Sequence, residues 1–182
     1  MSARLDVLVN GYAGERVAST VSLVRDGDVV IVIDPGMVAD RRQILEPLAS
    51  LGVRPEDATD VVLGHHHPDH TLNVALFDRA RAHDCWAIYE GDRWTDRQAD
   101  GFALSPSVRL MATPGHTPQD ITTLVGTDEG LVACTYLWWS AKGPEDDPLA
   151  SDLDELRRSR QRLLALGPVL IVPGHGAPFA PR

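Results

Sequence analysis

The hydrophobic positions of this chain fall into short runs of valine, isoleucine and leucine punctuated by glycine, proline and aspartate, a spacing that predicts strands. The runs are Leu5 to Val9, Thr20 to Val24, Val29 to Ile33, Val61 to Leu63, Trp86 to Tyr89, Val108 to Met111, Ile121 to Val125, Leu131 to Tyr136 and Val169 to Val172. Two segments carry a helical period instead. Asp40 with Gln43 reads as a capping box opening a helix whose apolar face is Ile44, Leu45 and Leu48 and which stops at Gly52. Ser151 with Asp154 reads as the start of another, bearing Leu153, Leu156, Leu163 and Leu164 and ending at Gly167-Pro168. A shorter helix is expected around Leu72 to Leu76, beyond Pro68. No repeat, low-complexity tract or linker breaks the pattern, so residues 1–182 read as one domain, β-rich first and mixed afterwards.

Composition narrows the class. A chain of 182 residues with 43% hydrophobic content is long enough for one compact core, burying about 70% of its unfolded surface. The amino terminus has no apolar signal-like region and no run reaches membrane-spanning length, so no membrane association is expected. Two cysteines, Cys85 and Cys134, fit reduced thiols in the cytoplasm better than a disulfide framework.

The densest chemistry lies at Gly64 to His70, Gly-His-His-His-Pro-Asp-His, where His65, His67, Asp69 and His70 have the spacing His-x-His-x-Asp-His. Residues two apart at the end of the Val61 to Leu63 strand project to one side, so His65 and His67 can share a metal ion. Pro68 then breaks the extended chain, and Asp69 and His70 can aim at a second point. A zinc ion usually takes four ligands, so further donors are needed. His116 in Ala-Thr-Pro-Gly-His-Thr-Pro and His175 in Val-Pro-Gly-His-Gly-Ala-Pro each follow a strand and a Pro-Gly turn that would project the ring from a sheet end. His66, alternating with two ligands, is expected to point away and pack; Asp120 is expected to make structural hydrogen bonds.

These motifs, in this order, resemble the metallo-β-lactamase-fold hydrolases from about Asp28 to Phe179. Among its subfamilies the nearest look is to metallo-β-lactamase domain-containing protein 1, in Val-Ile-Asp-Pro-Gly, Ala-Thr-Pro-Gly-His and Val-Pro-Gly-His-Gly-Ala-Pro-Phe. The resemblance implies an α/β (α+β) fold, an αββα sandwich, for which this chain is short. It implies a first metal at His65, His67 and His116 and a second at Asp69, His70 and His175. Asp34, ending the Val29 to Ile33 strand, is either a turn former or a carboxylate behind the ligands that fixes an imidazole tautomer. One departure stands out. Many members carry an aspartate bridging both metals in a Gly-Asp pair, and the matching place here is Cys134-Thr135. Thr135 is expected to face the site and offer at most a hydrogen bond, with a one-residue bulge needed to turn Cys134 there instead. A class of true β-lactamases works without that bridge, so two metals stay open, the second less secure.

The expected cofactor is Zn2+, one or two ions, with Fe or Mn as other divalent candidates. The expected chemistry is attack by metal-bound hydroxide on a small ester, thioester or lactone, the ion lowering the pKa of water toward about 7, with Asp69 orienting the nucleophile. Trp138 and Trp139 either line an apolar entrance or simply pack. Net charge −9 and the loop Glu145, Asp146, Asp147 disfavour nucleic acid as a partner. The alternatives are an RNA phosphodiesterase, since animal members of the subfamily are endoribonucleases, and a metal-binding remnant without turnover. The sequence leaves the oligomeric state open.

Overall fold

The computed structural model describes residues 2–181. In one sheet lie β1 (Arg4–Val9), β2 (Val21–Asp26), β3 (Val29–Ile33), β4 (Asp60–Val62), β5 (Arg81–His83), β6 (Ala87–Glu90) and β7 (Arg93–Asp96), in chain order. The second holds β8 (Ala103–Ser105), β9 (Val108–Ala112), β10 (Ile121–Thr127), β11 (Gly130–Thr135) and β12 (Leu170–Pro173), ordered β12-β11-β10-β9-β8. The helices are α1 (Arg42–Ser50), α2 (Pro68–Thr71) and α3 (Leu153–Leu164). Pairs β3–β4, β4–β5 and β11–β12 are parallel and the rest antiparallel.

Strand alternation sorts the apolar side chains into three layers. Ile31 and Ile33 of β3 meet Leu110, Ile121, Val125 and Val132 between the sheets. Val32 of β3 points the other way, packing with Ile44 and Leu48 of α1. On the far side, Met111, Leu124 and Ala133 receive Leu156 and Leu163 of α3. Both faces of each sheet are therefore covered, which is the αββα sandwich, and each fully buried leucine or isoleucine contributes about 1.5–3 kcal/mol.

Several elements differ locally from expectation. The second helix is capped by Asp152, whose side chain accepts from Glu155 N, rather than by Ser151. Ser151 is diverted to the site: its N–H donates to His116 O at 2.9 Å and its hydroxyl to Gly115 O at 3.1 Å. Leu153 and Leu164 are over a third exposed, leaving Leu156 and Leu163 as the buried contacts. At α1 the Asp40 side chain accepts from Arg42 N and Gln43 reaches Ala39 N, so the two do not close a reciprocal box. The helix does end at Gly52, in the left-handed region at φ 73°. The helix expected near Leu72 is one turn, α2, followed by a 3-10 turn at Val74–Phe77 that buries Phe77 and leaves Leu72 60% exposed. Strands β5, β7 and β8 were not expected; each is three or four residues, and β7 is an edge strand exposed throughout, so none carries an alternating pattern.

Strands β3, β4, β9, β11 and β12 all release their chains at one end of the sandwich. There, backbone bonds from Ile121 N to Gly64 O and from Thr20 N to Gly174 O, each 2.8 Å, lace the two sheets together.

Candidate metal centre

The loops at that end bring His65, His67 and His116 together, and beside them Asp69, His70 and His175; within each set the donor atoms lie within 4.8 Å of one another. His65 Nε2 and His116 Nε2 stand 3.0 and 3.2 Å from His67 Nδ1. Asp69 Oδ2 is 3.4 Å from His70 Nε2 and 3.5 Å from His175 Nε2. All are buried except His67, which is exposed, and Asp69, which is partly so, so solvent reaches the group on that side.

Groups behind the rings orient most of them. His116 Nδ1 lies 2.8 Å from Asp147 Oδ2, His70 Nδ1 3.0 Å from Asp34 Oδ2, and His175 Nδ1 2.8 Å from Ala18 O. His65 Nδ1 is 4.0 Å from Asp120 Oδ1, an electrostatic rather than a hydrogen-bonding distance. An imidazole whose rear nitrogen faces an acceptor presents a lone pair at the front, the arrangement a metal ligand needs. Both His70 nitrogens are buried without a well-aligned hydrogen bond, Nδ1 having only the close approach of Asp34, and a cation at the front would satisfy Nε2. The donor set of imidazole and carboxylate suits a divalent transition ion.

The electrostatics differ from ring to ring. Burial first, then the neighbouring imidazoles beginning with His70, hold His65 far below its ordinary range. His67 is lowered by burial and by His116, and His175 by burial against the Ala18 bond. For His70 burial is outweighed by Asp34 and Asp69, and its pKa is pushed up to about 9. Burial works against ionising Asp69 and Asp147, yet His70 in one case and His116 in the other keep both below the usual carboxylate range.

Asp34 both makes the turn and approaches an imidazole from behind. It adopts φ 51° at the turn, its other oxygen accepts from Gly64 N at 2.6 Å, and Oδ2 backs His70. Thr135 does not face the imidazoles: its hydroxyl lies 2.7 Å from Thr122 Oγ1 and accepts from Leu137 N at 3.2 Å. Cys134 points into the inter-sheet core, where burial pushes its thiol up to about 12. The expected alternation between Cys134 and Thr135 omitted the residue just past the strand. Tyr136 sits there, its ring centroid 4.3–5.2 Å from those of His116, His65, His70 and His175 and its hydroxyl 2.8 Å from His175 Nε2. Gly174 makes room for it: a Cβ at that position would stand 2.2 Å from Tyr136 Cδ2.

Asp147 is the other residue missed. It was read with Glu145 and Asp146 as a surface acidic run, yet it is buried at 2% exposure while they stay in solvent. Trp139 Nε1 donates to it at 2.9 Å and the Trp139 ring flanks His175, whereas Trp138 packs against Phe179 and Arg160. A signal existed, since Asp147-Pro148 follows two exposed acids in a Gly-Pro loop, but nothing in one sequence separates the inward carboxylate from its neighbours. Asp120 accepts from Thr117 N and Oγ1, its pKa raised to about 6 chiefly by burial. His66 turns outward to Asp84 at 3.0 Å and lies against Trp86, which is 52% exposed; His83 pairs with buried Asp60 at 2.7 Å.

A αββα sandwich with a histidine-rich centre at the strand ends defines a metallo-β-lactamase-fold protein whose side chains could hold metal. The metallo-beta-lactamase superfamily model matches residues 14–90. Metallo-beta-lactamase domain-containing protein 1 of Xenopus laevis is 32% identical over 187 aligned positions, 95% of this chain and 79% of that protein. The Mus musculus protein of that name is 38% identical over 158, covering 82% of this chain and 60% of its own length. The chain belongs to the metallo-β-lactamase superfamily. A crystal structure of a metallo-beta-lactamase candidate from Thermotoga maritima superposes with TM-score 0.79 at 23% identity, covering 100% of both chains. Relatives with named activities are an atrochrysone carboxyl ACP thioesterase of Aspergillus fumigatus (30% identity; 81% of this chain, 47% of that protein) and a hydroxyacylglutathione hydrolase of Albidiferax ferrireducens (30%; 65% and 47%). An N-acyl homoserine lactone hydrolase structure, with product at its catalytic metal centre, shares the fold at TM-score 0.72 and 16% identity over 96% of this chain and 92% of that one. Among the described residues no helix is long and apolar enough to cross a membrane.

Proposed function

We propose that this protein is a zinc-dependent hydrolase of a small ester, thioester or lactone. The observation that carries the reading is the convergence of six donors in two adjoining groups, three of them backed by a carboxylate or a carbonyl. His65, His67 and His116 would hold a divalent ion, which when bound would supply Lewis acidity and bring the pKa of water toward about 7. The chain does the rest. Asp69, ionised and beside the open His67 edge, orients the attacking water and takes its proton. Asp147 and Asp34 hold the His116 and His70 rings in the tautomer that faces the centre.

Small uncharged or singly charged substrates are favoured by the net charge of −9 and by exposed Glu145 and Asp146, which repel a polyanion. The named thioesterase, hydroxyacylglutathione hydrolase and lactone hydrolase relatives support the same class. Purified protein is analysed for bound metal and assayed with thioesters, lactones and oligoribonucleotides at low salt. The reading expects zinc and the higher kcat/KM on an acyl substrate. Efficient RNA cleavage with negligible acyl hydrolysis would replace it with a phosphodiesterase, and bound zinc without any turnover would leave a metal-binding remnant.

A further inference from the structure

The phenol of Tyr136 stands between the two donor groups, its ring against His65 and His116 of one and His70 and His175 of the other. Its place is set by the strand below: Thr135 is bound to Thr122 and to Leu137 N, which turns the next side chain into the imidazole cluster. The tautomer of His175 follows from its partners. Ala18 O can only accept, so His175 Nδ1, 2.8 Å away, carries the hydrogen and Nε2 carries the lone pair. The Tyr136 hydroxyl, 2.8 Å from Nε2, is then the donor. That lone pair is the one a cation at Asp69, His70 and His175 would need. In the other group, His65 and His116 turn their front nitrogens toward His67.

We infer that Tyr136 is a gate on the second metal position: the chain binds one divalent cation firmly at His65, His67 and His116, and a second must displace the phenol from His175. The inference rests on the metal-hydrolase reading, but it concerns occupancy and not turnover. The phenol is a neutral hydrogen-bond donor that competes with a cation for the His175 Nε2 lone pair. The competition is worth one hydrogen bond, so its removal tightens the second site by about 2- to 12-fold.

Metal-free protein is titrated with Zn(II) by calorimetry, wild type beside Tyr136→Phe, with circular dichroism to confirm folding. Wild type should bind in two unequal steps. Tyr136→Phe should leave the first step within about 2-fold and tighten the second by the margin above, since the ring stays and only the donor goes. A weaker second step in the variant would make Tyr136 a ligand and overturn the proposal; an unchanged one would overturn it too. Should the variant not fold, imidazole 15N spectra of wild type decide: the His65, His67 and His116 signals should move with the first equivalent and His175 only with the second. Simultaneous movement of all of them overturns the gate while leaving the metal reading intact, and absence of any binding overturns both.

Discussion

Asp147→Asn is the perturbation that most directly tests how the centre is built. The wild-type carboxylate accepts three hydrogen bonds, from His116 Nδ1 at 2.8 Å and Trp139 Nε1 at 2.9 Å on Oδ2, and from Leu149 N at 2.8 Å on Oδ1. An amide of the same shape has one oxygen for these donors. With that oxygen toward His116 and Trp139, its NH2 confronts the Leu149 N–H, and one buried donor loses its partner at about 1–3 kcal/mol. For a chain of this size that lowers Tm by roughly 2–4 °C per kcal/mol. The loss of negative charge behind His116 acts separately, making the ring a poorer donor and its tautomer less fixed, which costs about 10- to 100-fold in metal affinity, or about 1.4–2.8 kcal/mol. The assay is competition for Zn(II) against a chromophoric chelator, with thermal melting alongside. Asp146→Asn is the control, because Asp146 is 57% exposed and pairs with Arg157 at the surface, so it should change neither quantity appreciably. Equal Zn(II) affinity for wild type and Asp147→Asn, or equal losses in both variants, would refute the reasoning.

Replacing His116 by alanine should remove tight zinc binding and hydrolysis with the circular dichroism spectrum retained, while His66→Ala, one residue from two ligands but facing Asp84, should keep the metal; elemental analysis of both proteins makes the comparison. Leu156→Ala empties a 1%-exposed position between α3 and the second sheet and should cost about 2–5 kcal/mol in urea unfolding, with zinc stoichiometry kept. Burial opposes ionisation of Asp60, but His83, Thr59 and Arg81 hold its carboxyl below the ordinary 3.8. Its folded pKa being the depressed one, the stabilisation is present above about pH 3.8 and lost as pH falls from there. The Tm gap between wild type and Asp60→Asn should therefore be widest near neutrality and shrink below pH 4; a gap that grows in acid would reverse the assignment.

Local rules sufficed for what depends on neighbours in the chain. Continuous apolar runs marked β3 and the longer strands, because a strand covered on both faces is apolar at successive positions. The histidine spacing and the Pro-Gly turns marked all six donors of the two groups, since ligands clustered at strand ends need such turns to reach a common point. Short strands such as β5 and β7 left no trace, being held by their partners and not by their own pattern. The groups around the ligands were decided only by the tertiary structure. Asp147 reaches His116 across 31 positions of chain and Ala18 reaches His175 across 157, so no local feature distinguishes them from a loop acid or an ordinary alanine. Tyr136 was missed for a related reason. Which of three successive residues enters the cluster depends on where β11 ends and on the Thr122 hydroxyl that claims Thr135, and that contact forms only when β10 and β11 are paired.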